Sequence, residues 1–442
     1  MSNSYINRFQ KMFNSINSAT TKTYARLDKQ NSFIRKRKMP LADIILCTLS
    51  KKGLTTSIEL HQYFTQKGAY NMNISKQGYL QQRKKLNYEI FSFLNKEYLR
   101  DFYNSNEPVL WNKYLVFAVD GSKAEIPNSD ENRAFFGECG NNHSNGEVRT
   151  LVSSIFDVFN HFFLDLQIDP IKTSESELAK KNIYAIKKIL PNTDFIIVFD
   201  RGYPSIELIH FLEKNEVKYL FRLSSNDYKK ERSLMVTRDE TVKLMHTNAR
   251  LTKIKKNHPE IVDELRAKRY TSTRIVLSNL FSGNELALMT NLPIEFSEKE
   301  ITNLYFKRWE IEKKYHTLKN KMKFESITGK ATLYVYQDFW AQIVIYNMIQ
   351  DVLHSSNKNL EKETVKHEYK YPIRINENMA IGMFKEKFIK LLIEPNDTIR
   401  EENLLQLQRT IEKYILPIKN LKNQERKHNV SNKYKNNQKS SF

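Results

Sequence analysis

Apolar residues change their spacing several times along the 442-residue chain. Up to about residue 110 they recur at helical intervals. The run LADIILCTLS follows Pro40, and further helices are predicted over 55–66 and 75–86, separated by Gly53 and Gly68. Beyond Pro108 the period shortens. YLVFAV at 114–119 is a short continuous apolar run of strand type, and 150–168 alternates on both sides of Asn160-His161 as a β-hairpin would. A helix over 174–190 leads to FIIVF at 195–199, a buried strand. A helix opened by Pro204 and running to 215 precedes a third strand at 218–223. Residues 224–284 break this rhythm with many Lys and Arg, a helix at 259–268 and an alternating strand at 270–277. The sheet resumes with LALMTNL at 286–292. Next comes one long helix over 297–323, opened by the capping box Ser297/Glu300. An apolar, aromatic helix at 334–353 seals the core. The rest reads as a charged linker at 355–375, helices at 380–393 and 398–415, and a basic tail from 420 too polar to fold.

Strand, hairpin, helix, strand, helix, strand is the signature of an α/β or α+β sheet covered by helices. The pattern divides the chain into a helical region at 1–110, a core in two parts at 111–223 and 285–353, an insertion at 224–284, and a helical C-terminal region at 354–442.

Charge narrows the choice of partner. The net charge is +21 and the pI near 9.5, which favours a polyanion, and nucleic acid is the commonest one. No apolar run reaches 18 residues and the N-terminus has no signal-peptide core, so no membrane role is expected. Two cysteines exclude a disulfide framework or cysteine zinc cluster and fit a reducing cytoplasm. There is no GxGxxG or GxxxxGK[ST], so neither a dinucleotide nor a P-loop enzyme is predicted. The cations concentrate at FIRKRK (Arg35, Lys36, Arg37, Lys38) and on the 75–86 helix (Lys76, Arg83, Lys84), as in a small DNA-binding bundle of helix-turn-helix type.

Two predicted strands end in an aspartate followed by a turn: Asp120-Gly121-Ser122 and Asp200-Arg201-Gly202. Acids at strand ends lie at the rim of a sheet, where ligands bind. On a continuous 297–323 helix, Tyr305, Arg308, Glu312 and Lys319 share one stripe beside the apolar face of Leu304, Ile311, Tyr315, Leu318 and Met322, while Glu310 points the other way. One acid, two cations and a phenol along one margin suit a phosphate. Asp120, Asp200 and Glu312 from three separate elements could hold two Mg²⁺ roughly 3.5–4 Å apart for displacement at phosphorus.

These residues resemble the DDE transposases of bacterial insertion sequences, specifically the insertion-sequence 4 group. Tyr305, Arg308, Glu312 and Lys319 match its Y-x2-R-x3-E-x6-K signature at all four positions. VDGSKAEIPNS with FFG at 135–137 is similar to its first-Asp region, VFDRGYPS to its second, and MTNLP to the stretch before the helix. The resemblance covers at least 110–350. It implies a ribonuclease H-like, retroviral-integrase-like mixed-sheet core with a β-rich insertion, flanked by a helical N-terminal DNA-binding domain and a helical C-terminal region. It implies two Mg²⁺, with Mn²⁺ as substitute, on Asp120, Asp200 and Glu312, and phosphate contacts from Tyr305, Arg308 and Lys319. It further implies cut-and-paste movement through nicking, hairpin closure, hairpin opening and joining. The expected partners are double-stranded DNA, as terminal inverted repeats and target, and a second copy in a paired-end homodimer. Two other readings are a catalytically silent DNA-binding regulator and a Mg²⁺-dependent nuclease without strand transfer.

Overall fold

In the computed structural model, residues 4–27, 32–34, 38–140, 146–280, 283–364 and 369–418 are described. They form two compact units. One comprises Met1–Glu107, Ala124–Thr150 and Tyr315–Phe442, and the other Pro108–Lys123 and Leu151–Lys314.

The strands are β1 (Leu115–Glu125), β2 (Glu138–Cys139), β3 (Glu147–Asp157), β4 (Phe163–Pro170), β5 (Phe195–Phe199), β6 (Lys218–Arg222), β7 (Asp239–Met245), β8 (Tyr270–Asn279) and β9 (Glu285–Thr290). They make a nine-stranded mixed sheet in the order β2-β3-β1-β5-β6-β9-β8-β7, with β4 also on β3. The centre, β1-β5-β6, is parallel. Parallel strands joined by helices are covered on both faces, which is why FIIVF is buried at every position. The predicted hairpin forms with β3 and β4 on either side of Asn160-His161, where His161 turns at φ 62°.

The insertion is mixed rather than β-rich. It holds the helices Lys229–Ser233, Asn248–Asn257 and Val262–Lys268, and its strands β7 and β8 extend the main sheet through β9. Its helices have a small core of their own, Leu251, Val262 and Leu265 against Ile206.

The first unit is helical apart from short strands. Its longest helix, Thr332–Thr364, has 33 residues and is almost continuously buried between Tyr334 and Leu353. Its buried acids are paired. Asp338 meets Lys51 at 2.5 Å and Arg83 at 2.7 Å, and Asp351 meets Arg8 at 2.6 Å. The helix runs on through 355–364, where the sequence reading placed a linker. That stretch is charged but has no Gly or Pro, and charge alone does not end a helix. Among the described residues no helix is long and apolar enough to cross a membrane.

The 297–323 segment is not one helix. The capping box forms at Ser297/Glu300, but Glu298–Lys307 stops at Arg308, Trp309–His316 comes next, and Thr317–Lys321 is a π turn. At the first break the Arg308 amide bonds Tyr305 O at 3.0 Å, and at the last the Met322 amide bonds Thr317 O at 3.1 Å. A π turn adds a residue and rotates the chain beyond it by about 100°, so a straight-wheel projection fails past residue 316.

Candidate active site

The register of the central strands assembles the site. β1 and β5 pair in parallel from Leu115–Phe195 to Ala118–Val198. The paired stretch ends there, two residues short of Asp120 and Asp200, so both acids come just past the same end of the β1–β5 pairing. Asp200 follows the last residue of β5, and a turn closed by the Tyr203 amide on Asp200 O at 3.2 Å redirects the chain. Asp120 is not at a strand end as predicted. β1 continues to Glu125, and Asp120 lies where its pattern passes from buried to half-buried, beyond the reach of β5.

The helix residues close on this pair from one side. The Tyr305 hydroxyl donates to Asp200 Oδ1 at 3.2 Å. Arg308 Nη2 lies 2.8 Å from Glu312 Oε1 and 3.8 Å from Asp200 Oδ1. Tyr305 is 0% and Arg308 2% exposed, against 33% and 39% for the side chains of Asp200 and Glu312. Tyr305 and Arg308 are therefore the buried partners of the more exposed carboxylates that they bond. Burial pushes the Tyr305 phenol above its ordinary value. Burial also works against the charge on Arg308, but Tyr305, Asp200 and Glu312 outweigh it and hold that guanidinium firmly protonated. Glu310 pairs with Lys313 at 2.7 Å.

Asp120 is the electrostatically unusual member. Burial pushes its carboxyl up to about 7. Arg308 opposes the rise, Glu312 and Glu175 add to it, and the Gly121 amide donating to Oδ1 at 3.0 Å opposes it again. Glu175 was not among the predicted site residues. Its place in a Ser-Glu-Ser-Glu helix start gave only the ordinary signal of an acidic first turn.

Carboxylates are the donors a hard divalent cation takes, and Arg308 reaches both Asp200 and Glu312. The three do not converge tightly. Arg308 stands between Asp200 and Glu312, and their ligand atoms do not all fall within the 4.8 Å spacing that Glu177, Glu207 and His258 meet elsewhere in this unit. That second group is partly balanced, because Lys180 pairs with both Glu177 and Glu207.

The remaining predicted residues fall elsewhere. Lys319 belongs to the first unit, in the π turn, with Glu325 at 3.5 Å. Lys38, Lys76 and Lys84 are exposed. Arg83 is 0% exposed and bonds Gln337 Oε1 at 2.9 Å and Asp338, so it is a core residue and not a DNA contact. The sequence could not separate it from Lys84, since the two are adjacent cations on one helix. Arg35, Lys36 and Arg37 lie outside the described residues.

Comparison with known proteins gives the family. The model of the transposase DDE domain matches residues 111–348, more than half of the chain and the whole span from β1 to the buried aromatic helix. The chain belongs to the DDE transposases, of the insertion-sequence 4 type. A curated relative is the transposase InsG for insertion sequence element IS4 of Escherichia coli (strain K12), 24% identical over 330 residues, covering 72% of this chain and 70% of the relative. Among solved structures, the piggyBac transposase synaptic complex with hairpin DNA aligns over 93% of this transposase and 82% of that chain. Its TM-score is 0.43 at 10% identity, a likeness too loose to bear on mechanism.

Proposed function

We propose that this transposase moves its own insertion sequence by cut-and-paste, hydrolysing phosphodiester bonds at the element ends and transferring the freed 3′ ends to target DNA. The observation that supports the reading is that Tyr305 and Arg308 link Asp200 and Glu312, with Asp200 and Asp120 both just past the β1–β5 pairing. In this reading the core is ribonuclease H-like, and Asp120, Asp200 and Glu312 hold two Mg²⁺, or Mn²⁺ in substitution. Bound there, the ions supply Lewis-acid activation of the attacking oxygen and charge neutralisation at the scissile phosphate. The chain's own residues do the positioning. Tyr305 orients Asp200 by its hydrogen bond, and Arg308 fixes Glu312 while balancing part of the acidic charge. Lys319 serves as a phosphate contact, and Lys38, Lys76 and Lys84 grip the DNA backbone. The partners are the terminal inverted repeats, target DNA and a second copy of the chain that pairs the two ends.

The test uses a plasmid carrying the DNA that flanks the gene on both sides. Wild-type protein with Mg²⁺ should nick at the element boundaries and join the ends to a second plasmid, and Asp200→Asn should do neither while retaining DNA binding. Nicking without joining would favour a simple nuclease. Equal activity of Asp200→Asn would remove the proposed site altogether.

A further inference from the structure

The loop 322–328, which follows the π turn, is pinned to the elements around it, all within the first unit. Lys323 sits at φ 57°, a left-handed conformation that a lysine adopts only at a cost. Gly53 leaves room for it, since a β-carbon there would lie 2.9 Å from Lys323 Cβ. Phe324 stacks on Phe339 with ring centroids 4.1 Å apart, and its amide bonds Leu318 O at 3.0 Å. Lys51 Nζ donates to Ser326 O at 3.2 Å, and the Thr328 amide donates to Asp338 Oδ2 at 2.6 Å. The remaining tie is Lys385, 1% exposed, on the helix Glu377–Ile393. Its Nζ donates to Lys51 O at 2.9 Å, Gln342 Oε1 at 3.0 Å and Met322 O at 3.4 Å. Burial pushes this amine down to about 7, Glu59 opposes the fall, and Lys51 and Lys52 add to it. A methionine would fill a similar volume without the cost of a buried cation, so packing alone gives no reason for a lysine here.

We propose that Lys385 is a positioning residue for Lys319. Met322 is the first residue past the π turn, and its amide closes that turn on Thr317 O at 3.1 Å. By holding the Met322 carbonyl, Lys385 fixes the end of the turn and with it the direction in which Lys319 is presented. Glu325, 3.5 Å from Lys319 Nζ, belongs to the same pinned loop. The inference rests on the reading of Lys319 as a phosphate contact. Without Lys385 the turn relaxes, so Lys319 keeps its charge and loses its aim.

The test is a double-mutant cycle on single-turnover nicking of the plasmid described above, with full-length protein and Mg²⁺. Gel shifts report DNA affinity, and urea unfolding shows that each variant is folded. Lys385→Met should bind DNA as wild type does and nick about ten-fold more slowly, within what a small misplacement of a positioning group costs. Lys319→Ala should slow nicking at least as much. The two together should be no slower than Lys319→Ala alone, because a side chain that is absent cannot be misaimed, whereas a purely structural loss would multiply. Multiplying effects, or nicking by Lys385→Met at the wild-type rate, would overturn the inference and leave the acidic site standing. If Lys319→Ala nicks normally while Asp200→Asn does not, the phosphate-contact reading of Lys319 falls and takes this inference with it. If the wild type does not nick, the proposed function falls as well. Should Lys385→Met fail to fold, Lys385→Gln takes its place in the cycle.

Discussion

Replacing Asp120 with asparagine should make the metal-free protein more stable at alkaline pH. The substitution keeps shape and volume and still lets the Gly121 amide donate to Oδ1, so charge is the main change. In the folded chain burial, Glu312 and Glu175 raise this carboxyl from 3.8 to about 7 against the opposing pull of Arg308. Between those values the folded state binds a proton that the unfolded state has lost. Stability therefore falls as pH rises through the window, and the whole cost remains above pH 7. A difference of about 3 units, at roughly 1.4 kcal/mol each, sets an upper bound of about 4 kcal/mol. Urea unfolding of both proteins in chelator, at pH 5 and pH 8.5, isolates the term, because other titrating groups cancel between variant and wild type. Asp120→Asn should gain markedly more at pH 8.5 than at pH 5. Mg²⁺ should then stabilise wild type at pH 8.5, by about 2.7 kcal/mol at a hundred times its Kd, and leave Asp120→Asn unmoved. An equal effect of the substitution at both pH values would refute the electrostatic argument.

Three further outcomes are expected. Glu312→Ala should abolish Mg²⁺-dependent nicking while DNA affinity in gel shifts holds or rises, whereas Glu310→Ala, whose partner is Lys313, should cleave normally; the reverse result would show that the helix register is wrong. Asp338→Ala leaves Lys51 and Arg83 buried without their counter-charge and should cost about 3–5 kcal/mol in urea unfolding; a loss below about 1 kcal/mol would mean that water reaches these cations. Joint Lys76→Ala and Lys84→Ala substitution should weaken binding to any duplex alike and lower the slope of log K against log salt by roughly 2, since each exposed cation releases about one counterion; an unchanged slope would remove them from the DNA contact surface.

How much of this was legible in the chain depended on the range of the interaction involved. Period and punctuation are local, and they located the central strands, the hairpin about Asn160-His161, the cap at Ser297 and the helices Leu41–Leu49, Thr56–Gln66, Lys76–Arg83, Glu377–Ile393 and Asp397–Glu412 to within a few residues, but not Ser4–Asn17 or Glu89–Tyr103. The spacing of Tyr305, Arg308 and Glu312 survived as geometry because each lies within about one turn of the next, with Arg308 bonded to Glu312. Lys319 lies beyond the start of the π turn, and no wheel drawn on a straight helix could place it. That two acids 80 positions apart follow strands that pair with each other was decided by the sheet, a contact no local pattern encodes. The same holds for Arg83, drawn inside by Asp338 from 255 residues away while its neighbour Lys84 stayed in water. It holds too for Glu175, which reads as an ordinary helix cap until folding brings it against Gly121. Composition and short-range spacing determined which elements form and what chemistry they carry. Only the tertiary structure decided which charges meet, because pairing and burial depend on distances that the folded chain alone sets.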